Sequence, residues 1–261
     1  MKNLPTNPDS PHSTSASDQK TVVIATYNEG ESILPLVSKI LSLKTKFSIL
    51  VIDDNSPDGT SDIVRSAFAD NPRVLVVTRS GKKGYATAMM RGFQETLKHG
   101  AGRIFTMDAD LSHNPDDLSR LDSTLDNHPL AIGSRYSNGI RILNWSPMRL
   151  LLSLAANTYV SKLLNLPYSD CTSGFRAYRR EVVEKIISTR VKSNGYAFLV
   201  EVLAVADRAG CRAKEVPIIY TERRAGQSKM SRLVIVEAFF LPWRLLLRPG
   251  RGKSPRDLVG S

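Results

Sequence analysis

One repeated cadence restricts this chain more than anything else: an unbroken apolar run, a polar stop, then a segment with helical spacing. "TVVIATYNEG" opens it, with a buried strand predicted over 21–25 that runs into a turn. "SILPLVSKILSL" follows, apolar at Ile33, Leu36, Val37, Ile40 and Leu41, the spacing of one helix face. "FSILVIDDNSPDGT" gives a second strand ending in acids and a turn, and "SDIVRSAFAD" a helix capped by Thr60 or Ser61. "RVLVVTRS" is a third strand, "GYATAMMRGFQETLKHG" a helix closing at Gly100, and "RIFTMDAD" a fourth strand. Strands too apolar to show alternation need both faces covered. The expected fold class is therefore α/β, with a mostly parallel central sheet between helices.

Ligands in such sheets gather beyond the carboxyl ends of the strands. Here those ends are polar: Tyr27 and Glu29, then Asp53 and Asp54, then Asp108 and Asp110. With Ala109 between them, Asp108 and Asp110 fall on one side of an extended segment. Paired hard oxygen donors suit Mg²⁺ or Mn²⁺ shared with substrate phosphates, whereas a solvated strand end is the competing reading. Asp53 and Asp54 are expected to accept hydrogen bonds from a base or ribose, Asp54 above all. Pro57 and Gly59 shape the turn that follows. Asp116 and Asp117 read as first-turn acids of a helix after Pro115, and His113 as a turn residue. Lys83 is either a donor-side cation or a solvated helix start.

The second half is less regular. "LAIGSRY" is a strand ending at Arg135, and "SPMRLLLSLAANTYVSKLLNL" an apolar helix with Arg149, Ser153 and Asn157 in one polar stripe. A core helix with a polar edge fits that stripe as well as a ligand face does. "SGFRAYRREVVEKII" is a strand or turn and then a helix, "GYAFLVEVLAVADRAG" a helix, and "RAKEVPIIYTERR" a closing strand.

The formal net charge of +11 favours an anionic partner, among which composition does not choose. Two cysteines, Cys171 and Cys211, stand at no metal-like spacing and read as free thiols of a reducing, cytoplasmic compartment. Residues 1–20 lack the apolar segment of a signal peptide and have the composition of a disordered lead.

Read in order, "ATYNE", "VIDDNSPDGT", "MDADLSHNP", "GSRY", "TSGFRAY", "GYAFLVE" and "RRAGQSK" closely resemble the family 2 glycosyltransferases, and within them the dolichyl-phosphate mannosyltransferase group. The family usually has Pro where this chain has Ala25, a position that serves through its backbone. The resemblance implies a GT-A fold over 21–230, GDP-mannose as donor and a dolichyl or other polyprenyl phosphate as acceptor. It implies that Ala25, Tyr27, Glu29, Ile52 and Asp54 hold the guanosine. Asp108, Ala109 and Asp110 would hold ribose, metal and diphosphate. Arg135, Arg223 and Lys229 would meet phosphates from the opposite wall, with 221–230 as a lid that flexes at Gly226. Arg149 and Ser153, beside Arg135, would bind the acceptor phosphate, and Glu201 would support the site from behind. A phosphate monoester is already anionic near neutral pH, so no general base is expected. Catalysis would then consist of alignment and leaving-group stabilisation, with inversion at the sugar carbon. A relative using UDP-glucose or another nucleotide sugar is the alternative. A non-catalytic anion- or nucleic-acid-binding protein leaves the ordered motifs unexplained.

Residues 233–247, "LVIVEAFFLPWRLLL", are the most apolar stretch, yet they fall short of the about 20 residues that span a bilayer. Glu237, Pro242 and Arg244 interrupt them, and Arg248, Arg251, Lys253 and Arg256 follow. The pattern predicts that 231–261 is an amphipathic basic tail lying at a membrane surface. A helix packed on the catalytic domain is the competing reading. The chain would then be peripheral to the cytosolic face, with room for a small membrane protein as recruiting partner.

Overall fold

In a computed structural model of the chain, the apolar runs become strands where the cadence places them. The structure describes residues 19–189, 191–193, 195–222 and 242–246, the side chain of Tyr196 excepted. β1 (Lys20–Thr26), β2 (Ser48–Asp53), β3 (Val74–Thr78) and β4 (Arg103–Asp108) alternate with α1 (Gly30–Ser42), α2 (Thr60–Ala67) and α3 (Tyr85–Lys98). Then come α4 (Asp117–Thr124), β5 (Leu130–Ser134), β6 (Ile142–Leu143), α5 (Pro147–Leu164) and β7 (Arg176–Arg179). α6 (Arg180–Ser188), α7 (Gly195–Arg208), β8 (Ala213–Pro217) and β9 (Tyr220–Thr221) complete the described order.

The main sheet runs β3-β2-β1-β4-β7-β5-β8. Its pairs are parallel except at β7, which lies antiparallel between β4 and β5. The register sets Ala25 beside Asp108 and Thr26 beside Asp53, so β1, β2 and β4 end level with one another. Because β7 runs backwards, the segment leading into it arrives at the rim where β4 leaves; Arg176 pairs with Thr106. Successive side chains of β1 point to opposite faces. Val22 and Ile24 join Phe47, Phe105 and Leu118 in one apolar layer, and Val23 joins Phe93, Ile104 and Tyr178 in the other.

Two local expectations need correction. The start of α2 is held neither by Thr60 nor by Ser61 acting as cap. Asp58 accepts from the Thr60 amide and hydroxyl at 3.0 and 2.6 Å, and Gly59 supplies the left-handed turn at φ +75°. α5 is no ordinary core helix: its polar Asn157 is buried, while Met148, Leu151 and Leu152 are exposed. The Asn157 amide is drawn inward because its oxygen accepts from the Cys171 N–H at 2.8 Å and its nitrogen donates to the Ser153 carbonyl at 2.9 Å. Residues 242–246 form a helical turn packed on the domain. Leu245 is buried, and the Trp243 indole N–H donates to Tyr159 Oη at 2.8 Å. Residues 1–18, 223–241 and 247–261, which hold nearly all of the expected lead, lid and tail, lie outside the described residues.

Candidate active site

Among the described residues, the acids that close β4 have few partners. The Asp108 carboxylate keeps 38 % of its surface exposed, with Nδ1 of His113 at 3.9 Å, beyond hydrogen-bond reach. Its partial burial, and after it the charge of Asp110, push its pKa up to about 7, against the pull of Arg135. Asp110 is oriented on one oxygen, Oδ1, which accepts from the Ser112 amide at 3.1 Å and hydroxyl at 2.6 Å. Gly174, in the segment entering β7, comes so close that an added Cβ would stand 3.3 Å from Asp108 Oδ1 and 3.1 Å from Tyr85 Oη. A carboxylate whose ionisation is made costly by the charge of a neighbouring carboxylate suits a divalent cation. Among the described residues no third His, Cys, Asp or Glu joins them as a ligand group. Further ligands would come from substrate oxygens or water, the pattern of Mg²⁺ and Mn²⁺ sites.

His113, expected as a turn residue, is buried and bridged to Tyr220. Its buried ring stacks on Phe175 at 5.0 Å and meets the edge of Tyr220 at 5.4 Å. Burial lowers its pKa to about 4, so the ring is neutral at ordinary pH.

The acids that close β2 are, by contrast, fully engaged. Asp53 accepts from the Thr26 hydroxyl at 2.8 Å and from the Ser56 amide and hydroxyl at 2.9 and 2.6 Å. Asp54 forms a buried ion pair with Arg79 and accepts from the Lys83 and Gly84 amides, each at 2.9 Å. Its oxygens tie down the loop between β3 and α3, where Gly84 adopts φ +91°. That loop sets Lys82 Nζ 4.0 Å above the Tyr27 ring. Lys83 takes part through its backbone, its side chain being exposed. Ala25 lies half-buried at the rim, whereas the side chains of Ile52 and Ala109 face the core. Glu29 precedes α1 and accepts from the Ser32 hydroxyl at 3.1 Å. Glu201 accepts from the Ser193 amide at 2.8 Å and so orders the approach to α7.

The opposite wall carries the cations. Arg135 is buried and clamped by Asp170, with Nε and Nη2 each donating at 2.7 Å. Burial alone would lower its pKa, but Asp170 outweighs it and the guanidinium stays charged. Asp170 is correspondingly held low despite its burial, chiefly by Arg135. Arg149, near the start of α5, forms a partly exposed pair with Glu222 and lies 4.3 Å from the centre of the Trp145 ring. The Ser153 hydroxyl accepts from Tyr136 Oη at 2.7 Å. Tyr220 joins the walls, packing edge-on against His113 and Trp145 and lying 5.6 Å from the Arg135 guanidinium. Through His113, Tyr220, Trp145 and Tyr136, Asp108, Asp110, Arg135, Arg149 and Ser153 are linked into one cluster. Arg223 and Lys229 lie outside the described residues. Arg79, Asp170 and Trp145 are partners that the sequence reading missed. Asp170 stood next to a noted motif, but Arg79 sat in a polar loop without signal.

The sequence profile of Glycosyl transferase family 2 matches residues 21–187. A polyprenol monophosphomannose synthase from Mycolicibacterium smegmatis is 43 % identical over 234 residues, 89 % of this chain and 88 % of that one. An undecaprenyl-phosphate mannosyltransferase from Micrococcus luteus is 38 % identical over 216 residues, 83 % of this chain and 89 % of that one. Among solved structures, glucosyl-3-phosphoglycerate synthase from Mycobacterium tuberculosis, in complex with Mn²⁺, UDP and phosphoglyceric acid, superposes with a TM-score of 0.65. It is 18 % identical, with 92 % of this chain and 81 % of that one covered. A mannosyltransferase from Pyrobaculum calidifontis, in complex with GDP-Man and Mn²⁺, gives 0.61 at 19 % identity over 93 % and 68 % of the chains. At such identities the likeness is one of fold. Motif order, sheet and sequence kinship agree: the chain belongs to glycosyltransferase family 2 and is a glycosyltransferase.

Proposed function

We propose that the enzyme transfers mannose from GDP-mannose to a dolichyl or other polyprenyl phosphate, with inversion, giving a β-linked mannosyl phosphate. The observation that carries this reading is the gathering of two carboxylates, Asp108 and Asp110, and two guanidiniums, Arg135 and Arg149, around Tyr220 and its ring partners His113 and Trp145. One wall suits a metal–diphosphate and the other a second phosphate. The names of the two relatives support the mannosyl and lipid-phosphate halves of the reading, and the GDP-Man complex of the Pyrobaculum calidifontis mannosyltransferase supports the donor.

Mg²⁺ or Mn²⁺ held by Asp108 and Asp110 would supply charge neutralisation on the departing nucleotide. Arg135, immobilised by Asp170, and Arg149 fix the acceptor phosphate, with the Ser153 hydroxyl beside them. A phosphate oxygen bonds to the anomeric carbon as the bond to GDP breaks on its far side. No proton has to leave the nucleophile, which accords with a neutral, buried His113. Tyr27 and Lys82 offer a cationic platform for the base. Arg223 and Lys229 belong to the same reading as diphosphate ligands.

Residues 21–230 act as the catalytic domain and 231–261 as a basic, membrane-proximal tail. Membrane-surface attachment is supported by the outward Met148, Leu151 and Leu152 of α5, next to exposed Ile140 and Leu143. No helix among the described residues is long and apolar enough to cross a membrane. The test is incubation with labelled GDP-mannose, Mn²⁺ and a polyprenyl phosphate, followed by organic extraction. Label in the lipid phase is expected; label arriving only from UDP-glucose or another nucleotide sugar overturns the donor assignment.

A further inference from the structure

Trp145, in the turn between β6 and α5, has no place in the reading so far. Its indole is set among cations. The ring centre is 4.3 Å from the Arg149 guanidinium carbon and 5.7 Å from that of Arg135, and it packs edge-on against Tyr220 at 5.6 Å. The Nε1 atom is buried and has no hydrogen-bond partner among the described residues. An indole N–H can only donate, and a buried donor without an acceptor bears the full cost of its lost hydration. Both flanking guanidiniums are donors as well, so neither can satisfy it. A group that served all three would have to accept several hydrogen bonds and carry negative charge. A phosphate monoester does both.

We propose that Trp145 is a positioning residue for the acceptor phosphate. Its face holds the Arg149 guanidinium in place, and its N–H donates to a phosphate oxygen. The ring also explains how Arg149 keeps its direction when an incoming phosphate competes with Glu222 for its donors. The proposal rests on the acceptor assigned above, so its test is built to separate the two.

Full-length wild type, Trp145→Phe and Trp145→Leu are compared in two assays. In the first, binding of farnesyl phosphate is followed by ³¹P NMR without donor or metal. In the second, steady-state transfer is measured with each substrate varied. Trp145→Phe keeps a ring and loses the N–H; it is expected to weaken farnesyl phosphate binding and raise the acceptor KM about tenfold. Its kcat and donor KM should stay within about twofold. Trp145→Leu also loses the cation–π face and should weaken acceptor binding by roughly a further threefold. Wild-type binding by Trp145→Phe overturns the N–H contact. Equal changes in donor KM and melting temperature make the residue structural and overturn the positioning role. If wild type binds farnesyl phosphate in a Trp145-dependent way but transfers no mannose, the donor reading fails while this inference stands.

Discussion

Two strands of this sheet end in acids, and the acids have opposite fates. At β2, Asp53 and Asp54 meet a hydroxyl, three backbone N–H groups, a serine and an arginine, and every oxygen is answered. At β4, Asp110 is half answered, by Ser112, and Asp108 faces a neutral ring 3.9 Å away. The same written signal, carboxylates at a strand end, therefore builds a loop in one place and leaves a site open in the other. What decides is the supply of donors. The turn after β2 aims the Ser56 amide and hydroxyl at Asp53, and the loop between β3 and α3 aims the Lys83 and Gly84 amides at Asp54. After β4 the chain leaves through Leu111 at φ +61° and turns only Ser112 toward Asp110.

That contrast breaks if the two pairs prove interchangeable. Asp110→Ala should lower transfer by about a thousandfold, the scale of metal-ion charge stabilisation, with the melting temperature held within about 2 °C. Unimpaired turnover would place the metal elsewhere. Asp54→Ala should do the reverse and strand Arg79 in a buried position. A loss of about 3–5 kcal/mol in denaturant unfolding is expected, with Mn²⁺ affinity unchanged in the fraction that folds. Unchanged stability with lost GDP binding would return Asp54 to the ligand set. Asp108 sharpens the contrast through pH. Its carboxyl is protonated below about 7 and ionised above, so bound metal must displace a proton on the acid side. Mn²⁺ affinity measured by electron paramagnetic resonance should fall about tenfold per pH unit below 7 and level off above it. A flat profile would deny Asp108 a place among the ligands. The smallest effect belongs to Asp58→Ala, which removes the α2 cap for about 1 kcal/mol and leaves transfer rates alone.

The alternating half of the fold was legible because period and apolar continuity are local properties, and β1 to β4 follow from them directly. The reversed β7 was not, since four residues such as "RAYR" state that a strand exists but not which way it runs. β6 and β9, two residues each, are too short to show any pattern. At the site, Asp108, Asp110, Arg135 and Arg149 were readable as chemistry-bearing residues in ordered motifs. Their partners were not. Arg79 and Asp170 matter through pairings across 25 and 35 positions, which no spacing encodes. The stripe on α5 was seen, but its orientation was not, because Asn157 faces inward only once the Cys171 amide is there to meet it.

The backward course of β7 has a consequence for how this enzyme can be divided. Inserted between β4 and β5, it supplies hydrogen-bonded neighbours to both, and the segment entering it carries Asp170 to Arg135 and Gly174 to Asp108. A fragment stopping after β5 would hold five strands in sequence yet have a gap through the middle of its sheet. The first four strands and the strands after α4 are thus sewn together by a late segment of the chain. They should ripen as one cooperative unit, neither available before the other.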